Sequence, residues 1–282
     1  MGQAAGREEK QLGSTVLDRI LEARRRRIAQ ARARVPLRDV ERAAEARVDL
    51  RDFAGAISGG GLSVIAELKQ ASPSRGVLRD EYSPQAIARG YEAAGAAALS
   101  VLTEEDYFKG SLDDLRAVRL ASTLPILRKD FVFEPYQVYE SAAAGADAVL
   151  LIVSPLTDEE LRQLVELAAR LKLAALVEAH TEEELSRALH AGARIIGVNN
   201  RNLQTLEVDL ETSFRLRPKI PTDCLSVSES GISSVGDLRR LSAAGFDAVL
   251  IGERCMTAPD PGKELADLLS LFSEAARSAT GR

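Results

Sequence analysis

The chain has no tryptophan, two cysteines, two histidines and two methionines in 282 residues. Each scarcity excludes something. Cys224 and Cys255 stand alone, and the sequence contains no CxxC, no HExxH and no clustered His/Cys spacing. The common zinc and iron–sulfur sites are therefore not expected. Two cysteines form no disulfide framework, which fits a reducing cytoplasm. Apolar runs stop well short of the ~18 residues a membrane helix needs, and the N-terminus has no apolar signal-peptide core. A net charge of −5 is too mild to call for nucleic acid or an acidic membrane. Gly59-Gly60-Gly61 does not open a helix as GxGxxG, so no dinucleotide signal is present. A cytoplasmic protein is what these absences predict.

What is present is alternation. Residues 1–14 are polar and read as a frayed end. Val16, Leu17, Ile20, Leu21 and Ile28 then fall at helical spacing behind Ser14 or Thr15 as N-cap. The arginine run at 24–27, diluted by Asp18, Glu22 and Glu41, reads as a solvated helix face. A second helical stretch follows from Pro36 to about Ala46. Beyond it, strands are expected near 63–69, 97–102, 125–129, 147–153, 173–178, 194–199, 224–229 and 247–252. Helical patterns separate them at 84–94, 112–121, 136–144, 158–171, 182–191 and 234–244. Continuous apolar runs such as Ala148-Val-Leu-Leu-Ile-Val153 mark parallel strands covered by helices.

An internal echo supports a repeat. Gly95, Gly145, Gly192 and Gly245 each follow a helix end and precede a strand, at intervals of 50, 47 and 53 residues. Glycine there suits the left-handed position after a helix. Eight strand–helix units in roughly 220 residues predict a (β/α)8 TIM barrel with an N-terminal helical extension. The division is 1–48 for the extension and 49–282 for the barrel. A doubly wound open sheet is the alternative, but it more often has a Gly-rich turn after its first strand. Here that turn is Ser-Pro-Ser-Arg-Gly.

Chemistry in such barrels sits at the C-terminal strand ends. Those ends carry Glu67 and Lys69, Thr103, Lys129, Glu178, then Asn199-Asn200-Arg201-Asn202, Ser228-Glu229-Ser230-Gly231 and Gly252-Glu253. Strand parity puts Lys129 with Leu127, Glu178 with Leu176 and Asn199 with Ile195 and Gly197. If those faces point inward, two lysines, two glutamates and an amide converge. Mixed buried charge of this kind separates pKa values into an acid and a base. Taken singly, each has a plainer account: Glu67–Lys69 as a structural ion pair, Glu178 as a barrel-mouth partner, His180 as a rim residue. Arg128 has the opposite parity and should pair among the helices. Cys224 reads as a packed small residue. The loop from Asp106 to Lys109 is polar, with Phe108 available as a wall for a ring. Ser230-Gly231-Ile232-Ser233 and Gly252-Glu253 offer backbone N–H groups to a phosphate. The Glu253 carboxylate is an awkward neighbour for a dianion, so its backbone N–H is assigned to the grip.

The stretches IAELKQASPSRG, LTEEDYFKGSLDDL, PILRKDFVFEPYQVYESAAAGADAVLLIV, LVEAHTEEEL, IGVNNRNLQTLEVDL and SESGISS with DAVLIGE together resemble the indole-3-glycerol phosphate synthase family. They span the barrel in order. The resemblance implies a ring closure with loss of carbon dioxide and water, without cofactor or metal. It implies Lys129 as general acid and Lys69 as holder of the substrate carboxylate. Glu178 would stabilise positive charge on the anilino nitrogen, and Glu67 would orient the lysines. Asn199 and Arg201 would position substrate, with Phe108 and Phe131 as ring walls. Ser72, Ser230, Gly231, Gly252 and Glu253 match phosphate positions, and Glu229 joins the substrate-binding set. Departures are Arg75, where many relatives have lysine, and Asn200 and Asn202. The expected protein is a monofunctional enzyme, a monomer or weak homo-oligomer. Two rivals stand beside this. Another phosphate-binding barrel, such as a phosphoribosyl isomerase or a tryptophan synthase α-type lyase, would lack the ExK…SPS, RKDF and VEAH stretches. A non-catalytic phosphosugar-binding protein would have lost acid, base or phosphate positions, and all are occupied.

Overall fold

Helix caps and apolar strands place themselves much as their patterns require in the computed structural model, which describes residues 15–280, with side chains to 274. Residues 1–14, including Ser14 as a possible cap, lie outside the described residues. Helix α1 (Val16–Arg34) starts at Thr15, whose side chain accepts the N–H of Asp18 while Asp18 bonds back to the Thr15 N–H. Helix α2 (Leu37–Glu45) follows, and the short α3 (Phe53–Ile57) leads into the barrel.

The strands are β1 (Ser63–Leu68), β2 (Ala98–Leu102), β3 (Ile126–Lys129), β4 (Ala148–Ile152), β5 (Ala174–Ala179), β6 (Ile195–Asn199), β7 (Leu225–Glu229) and β8 (Ala248–Ile251). Each pairs in parallel with its chain neighbours, and β1 pairs with both β2 and β8, closing the ring. Closure excludes the open doubly wound sheet. Between them run α4 (Pro84–Ala93), α5 (Leu112–Ala121), α6 (Pro135–Ala144), α7 (Asp158–Arg170), α8 (Glu182–His190), α9 (Glu211–Leu216) and α10 (Val235–Ala243), with α11 (Glu253–Thr257) and α12 (Pro261–Thr280) after β8. The expected strand and helix ends are met to within one residue. The short helices α3, α9 and α11 escaped the periodicity, which needs more than five or six residues to show. Gly95, Gly145, Gly192 and Gly245 all take left-handed φ, from 82° to 103°, as the echo required.

Parity divides the core. Ile65, Leu127, Leu150, Leu176, Ile195, Val227 and Leu250 fill the barrel interior with Phe53 and Ile57 of α3. Residues of opposite parity, such as Val101, Leu151, Val177 and Ile196, pack under the helices. The interior layer therefore points Glu67, Lys129, Glu178 and Glu229 up the same axis.

One expectation fails. The arginine run is not a uniformly solvated face. Arg24 is only 3% exposed and meets Asp130 at 2.7 Å and Glu105 at 2.6 Å. Arg27 binds Asp106, while Arg26 stays exposed and pairs with Glu22. The cause is long-range: Asp130 directly follows Lys129 and is fully buried, so it needs cations. Arg24 and Arg128 supply them, the latter 2.9 Å from both Asp130 and Glu140. Burial would raise the Asp130 carboxyl, but the two guanidiniums and Thr103 hold it below the usual range. Arg128 thus faces the helices as parity predicted. Thr103 joins this outer network, donating to Asp130 at 2.7 Å, and does not reach the mouth. Replacing Arg24 by methionine is expected to cost about 3 kcal/mol, the low end for breaking a buried pair because Arg128 remains. Thermal unfolding measures it, and a melting temperature equal to wild type would contradict the burial argument.

Candidate active site

All fourteen sequence-predicted site residues line one cavity of about 550 Å³ at the C-terminal mouth. It is organised in three parts, and each part follows from a local feature of the chain.

The ionic part lies at the barrel axis. Lys69 Nζ is 2.6 Å from Glu67 Oε1. Lys129 Nζ bridges Glu178 Oε2 at 3.0 Å and Glu229 Oε2 at 2.7 Å. The register explains the bridge: Glu178 is level with Gly197, and Asn199 with Glu229. A Cβ at Gly197 would lie 2.2 Å from Glu229 Oε1, and one at Gly252 would lie 2.5 Å from Glu67 Oε1. Each glycine is thus the seat of a carboxylate. The Asn199 side-chain oxygen accepts the Arg201 N–H at 3.0 Å.

Three carboxylates face two ammoniums here, and the imbalance decides the protonation states. Burial opposes the charge on Lys129, but Glu178, Glu229 and Glu67 overcome it and push its pKa up. Burial likewise opposes ionisation of Glu178, yet Lys129 and His180 hold its pKa down. Glu229 takes the surplus. Burial, opposed by Lys129 and reinforced by the Glu178 charge, pushes it up to about 7. The site at neutral pH therefore holds a loaded ammonium acid, an ionised carboxylate and a carboxyl poised to change.

The apolar part is a wall. Phe108 and Phe131 stand with ring centroids 6.2 Å apart at 42°. Glu104, fully buried, accepts the N–H groups of Asp106, Tyr107 and Phe108 at 2.8–3.1 Å and so shapes the loop carrying the first ring. Val16, Leu17 and Ile20 of α1 complete the enclosure. Sequence periodicity had identified these three as an apolar helix face, with nothing to show that the face covers a cavity. Glu104 carried no signal that distinguished it from a solvated loop residue.

The third part is the turn that follows β7. Ser230 and Gly231 adopt successive left-handed conformations, φ 67° and 78°. A serine there is uncommon, and the turn is held by Asn200, whose Nδ2 donates to the carbonyls of Glu229 and Ser230 at 2.9 and 3.0 Å. Asn200, treated in sequence as a variable position, is a buried tie between strand ends. A Cβ on Gly231 would lie 2.5 Å from Val208, so only glycine fits. Across the gap, the Ser72 hydroxyl accepts the Arg75 N–H at 3.3 Å. Glu253 proves less awkward than expected: its carboxylate takes Arg75 at 2.9 Å and Arg201 at 3.2 Å. Two guanidiniums neutralise it beside the turn. Ser230→Ala, removing one hydroxyl from this turn, should raise KM about tenfold with little change in kcat, as a phosphate held there would require. Steady-state kinetics check this, and an unchanged KM would contradict a phosphate at that turn.

Among the described residues, no group of three His, Cys, Asp or Glu side chains is arranged to hold a metal, and no helix is long and apolar enough to cross a membrane. Lysines and carboxylates converging at the mouth of a closed parallel barrel define an enzyme of the (β/α)8 class equipped for proton transfer. Comparison with known proteins specifies which. The sequence profile of indole-3-glycerol phosphate synthase matches residues 17–268. Indole-3-glycerol phosphate synthase of Polaromonas sp. strain JS666 is 50% identical over 92% of this chain and 99% of its own. The Rhodococcus jostii RHA1 protein of the same name is 49% identical, covering 91% and 95%, and that of Carboxydothermus hydrogenoformans 47%, covering 90% and 99%. The chain belongs to the indole-3-glycerol phosphate synthase family, carboxy-lyases of tryptophan biosynthesis. Solved structures with the same fold diverge in sequence. A thiamine phosphate pyrophosphorylase from Pyrococcus furiosus aligns with TM-score 0.56 at 17% identity, over 76% of this chain and 96% of its own. A mandelate oxidase aligns at 0.58 and 18%, over 86% and 94%.

Proposed function

We propose that the cavity closes the indole ring of 1-(2-carboxyphenylamino)-1-deoxyribulose 5-phosphate, with each part of the mouth taking one end of the substrate. The observation that carries this is Lys129 clamped between two buried carboxylates, with an aromatic wall on one side and the Ser230–Gly231 turn on the other. Holding the ring against Phe108 and Phe131 and the phosphate at Ser72, Ser230, Gly231 and the N–H groups of Gly252 and Glu253 folds the ribulose chain back on the aniline.

Lys129 enters charged. As the ring carbon attacks the ketone carbon, electron density moves to the ketone oxygen and Lys129 protonates it. Lys69 holds the substrate carboxylate and takes part in proton transfer, with Glu67 orienting both lysines. The carboxylate leaves as carbon dioxide, returning its bonding pair to the ring. The hydroxyl then leaves as water with a second proton, and a carbon-bound proton is lost to complete the indole. Glu178 faces the positive charge on nitrogen, where an anion stabilises charge only as it forms. Asn199, Arg201 and Glu229 position the substrate. The chain is further read as an extension (1–48) and a barrel (49–282), cytoplasmic, and a monomer or weak homo-oligomer. Purified protein given the anilino-ribulose phosphate, without added metal or cofactor, should produce fluorescent indole-3-glycerol phosphate. No fluorescence at high enzyme concentration would refute the assignment.

A further inference from the structure

Two buried polar atoms that no hydrogen bond of normal geometry satisfies face each other behind the cavity. They are Oε1 of Glu178 and Nε2 of His180, 3.5 Å apart. His180 does not line the cavity; it stands one layer out, just past β5. Its other ring nitrogen, Nδ1, lies 3.2 Å from Oε2 of Glu184 on α8, and the same oxygen accepts the His180 backbone N–H at 2.7 Å. Glu184 therefore pins both the main chain and the ring. An imidazole with a carboxylate oxygen at each nitrogen is arranged for the form in which both nitrogens donate. Glu178 becomes a junction, with Oε2 on the Lys129 ammonium and Oε1 toward His180.

The proposed chemistry makes this junction consequential. Lys129 gives its proton to the ketone oxygen early and loses its charge. At that moment a buried Glu178 with no other cation would tend to take up a proton. It would then be neutral while the nitrogen is positive, from ring closure until carbon dioxide leaves and again as the hydroxyl departs. A second cation on the far oxygen prevents this.

We propose that His180 is a positioning residue: as an imidazolium held by Glu184, it fixes Glu178 from behind and keeps it ionised after Lys129 has discharged. The inference rests on the role given above to Glu178. The charged groups bearing on the ring are Glu184 from α8, Glu178 beside it and Glu229 from β7, with Lys129 beyond Glu178. Burial alone would lower the His180 pKa, but these carboxylates overcome it and the pKa is raised. The ring thus keeps its charge to higher pH than a free histidine, and above that range Glu178 loses its support.

The chain has only two histidines, and His190 is exposed, so ring titration by NMR resolves them, with His190→Gln as assignment. His180 should titrate above the ordinary histidine value, and its pKa should fall in Glu178→Gln and in Glu184→Gln. A His180 titration at or below the ordinary histidine value, or one unmoved in Glu178→Gln, would overturn the proposal without any turnover. In kinetics, His180→Asn should lower kcat about 10- to 100-fold, the worth of one supporting charge behind Glu178. KM should stay within about twofold. The alkaline limb of the kcat–pH profile should lose its His180 component in His180→Asn, leaving only the fall at the higher pH where Lys129 discharges, and should shift to lower pH in Glu184→Gln. Unchanged kcat, or a lowered melting temperature with an unaltered pH profile, would reduce His180 to a packing residue. Failure of the wild type to turn over would instead sink the assigned reaction and leave the titration result intact.

Discussion

Lys129→Ala is expected to lower kcat by about 10²–10⁴-fold, the usual worth of a placed general acid, while the barrel still folds. No other ammonium replaces it: Lys69 is engaged 2.6 Å from Glu67. The loss should appear equally in carbon dioxide release and indole formation, because protonation of the ketone oxygen precedes both. A stability signature accompanies it. Without the ammonium, Glu178 and Glu229, each about 1% exposed, are left buried together, and their folded pKa values rise. A carboxyl raised on folding binds more protons in the native state, so stability declines as pH climbs from the unfolded value toward the folded one. The variant's melting-temperature deficit should therefore be larger near about pH 8 than near about pH 5. Wild-type turnover in this variant would remove Lys129 from the chemistry. A deficit independent of pH would contradict the paired burial of the two glutamates.

Glu178→Gln keeps the shape and a hydrogen bond but removes the charge. A unit charge about 4 Å from a developing cation is worth about 4 kcal/mol at an effective dielectric near 20, or about 10³-fold in rate. Nitrogen turns positive as the ring closes and again as the hydroxyl leaves. With the Lys129 acid intact the second event should suffer more, so the variant should release carbon dioxide faster than it forms the indole ring and should accumulate the hydroxylated ring. Single-turnover measurement of both products separates it from the Lys129 variant. Matching rates of both products in Glu178→Gln would place the carboxylate at the first step instead.

Most of this geometry could be inferred before the fold was seen, for a specific reason. Strand parity is strict, so once Leu127, Leu176 and Ile195 were read as interior, Lys129, Glu178 and Asn199 had to follow. The left-handed glycines after the helices were equally legible, since few other residues tolerate that conformation. What stayed hidden depended on distant partners. Arg24 looks like Arg25 or Arg26 in a local window, and only Asp130, more than a hundred residues on, selects it for burial. Arg75 and Arg201 give no sign that they converge on Glu253. The covering role of Val16, Leu17 and Ile20 and the orientation of His180 toward Glu178 are likewise properties of packing. Gly197 was noted on the same face as Asn199, but a strand glycine signals only that something approaches closely. That the visitor is Glu229 required coordinates.

The two glycine seats have an evolutionary corollary. Position 252 can acquire a side chain only in a lineage where the acid at 67 has already shortened or swung away, and the same holds for 197 and 229. Each pair is thus a lock on drift. Descendants that take up a different reaction in this barrel should change both members together, and a lone glycine replaced at either site would mark a chain whose ancestral chemistry has been abandoned.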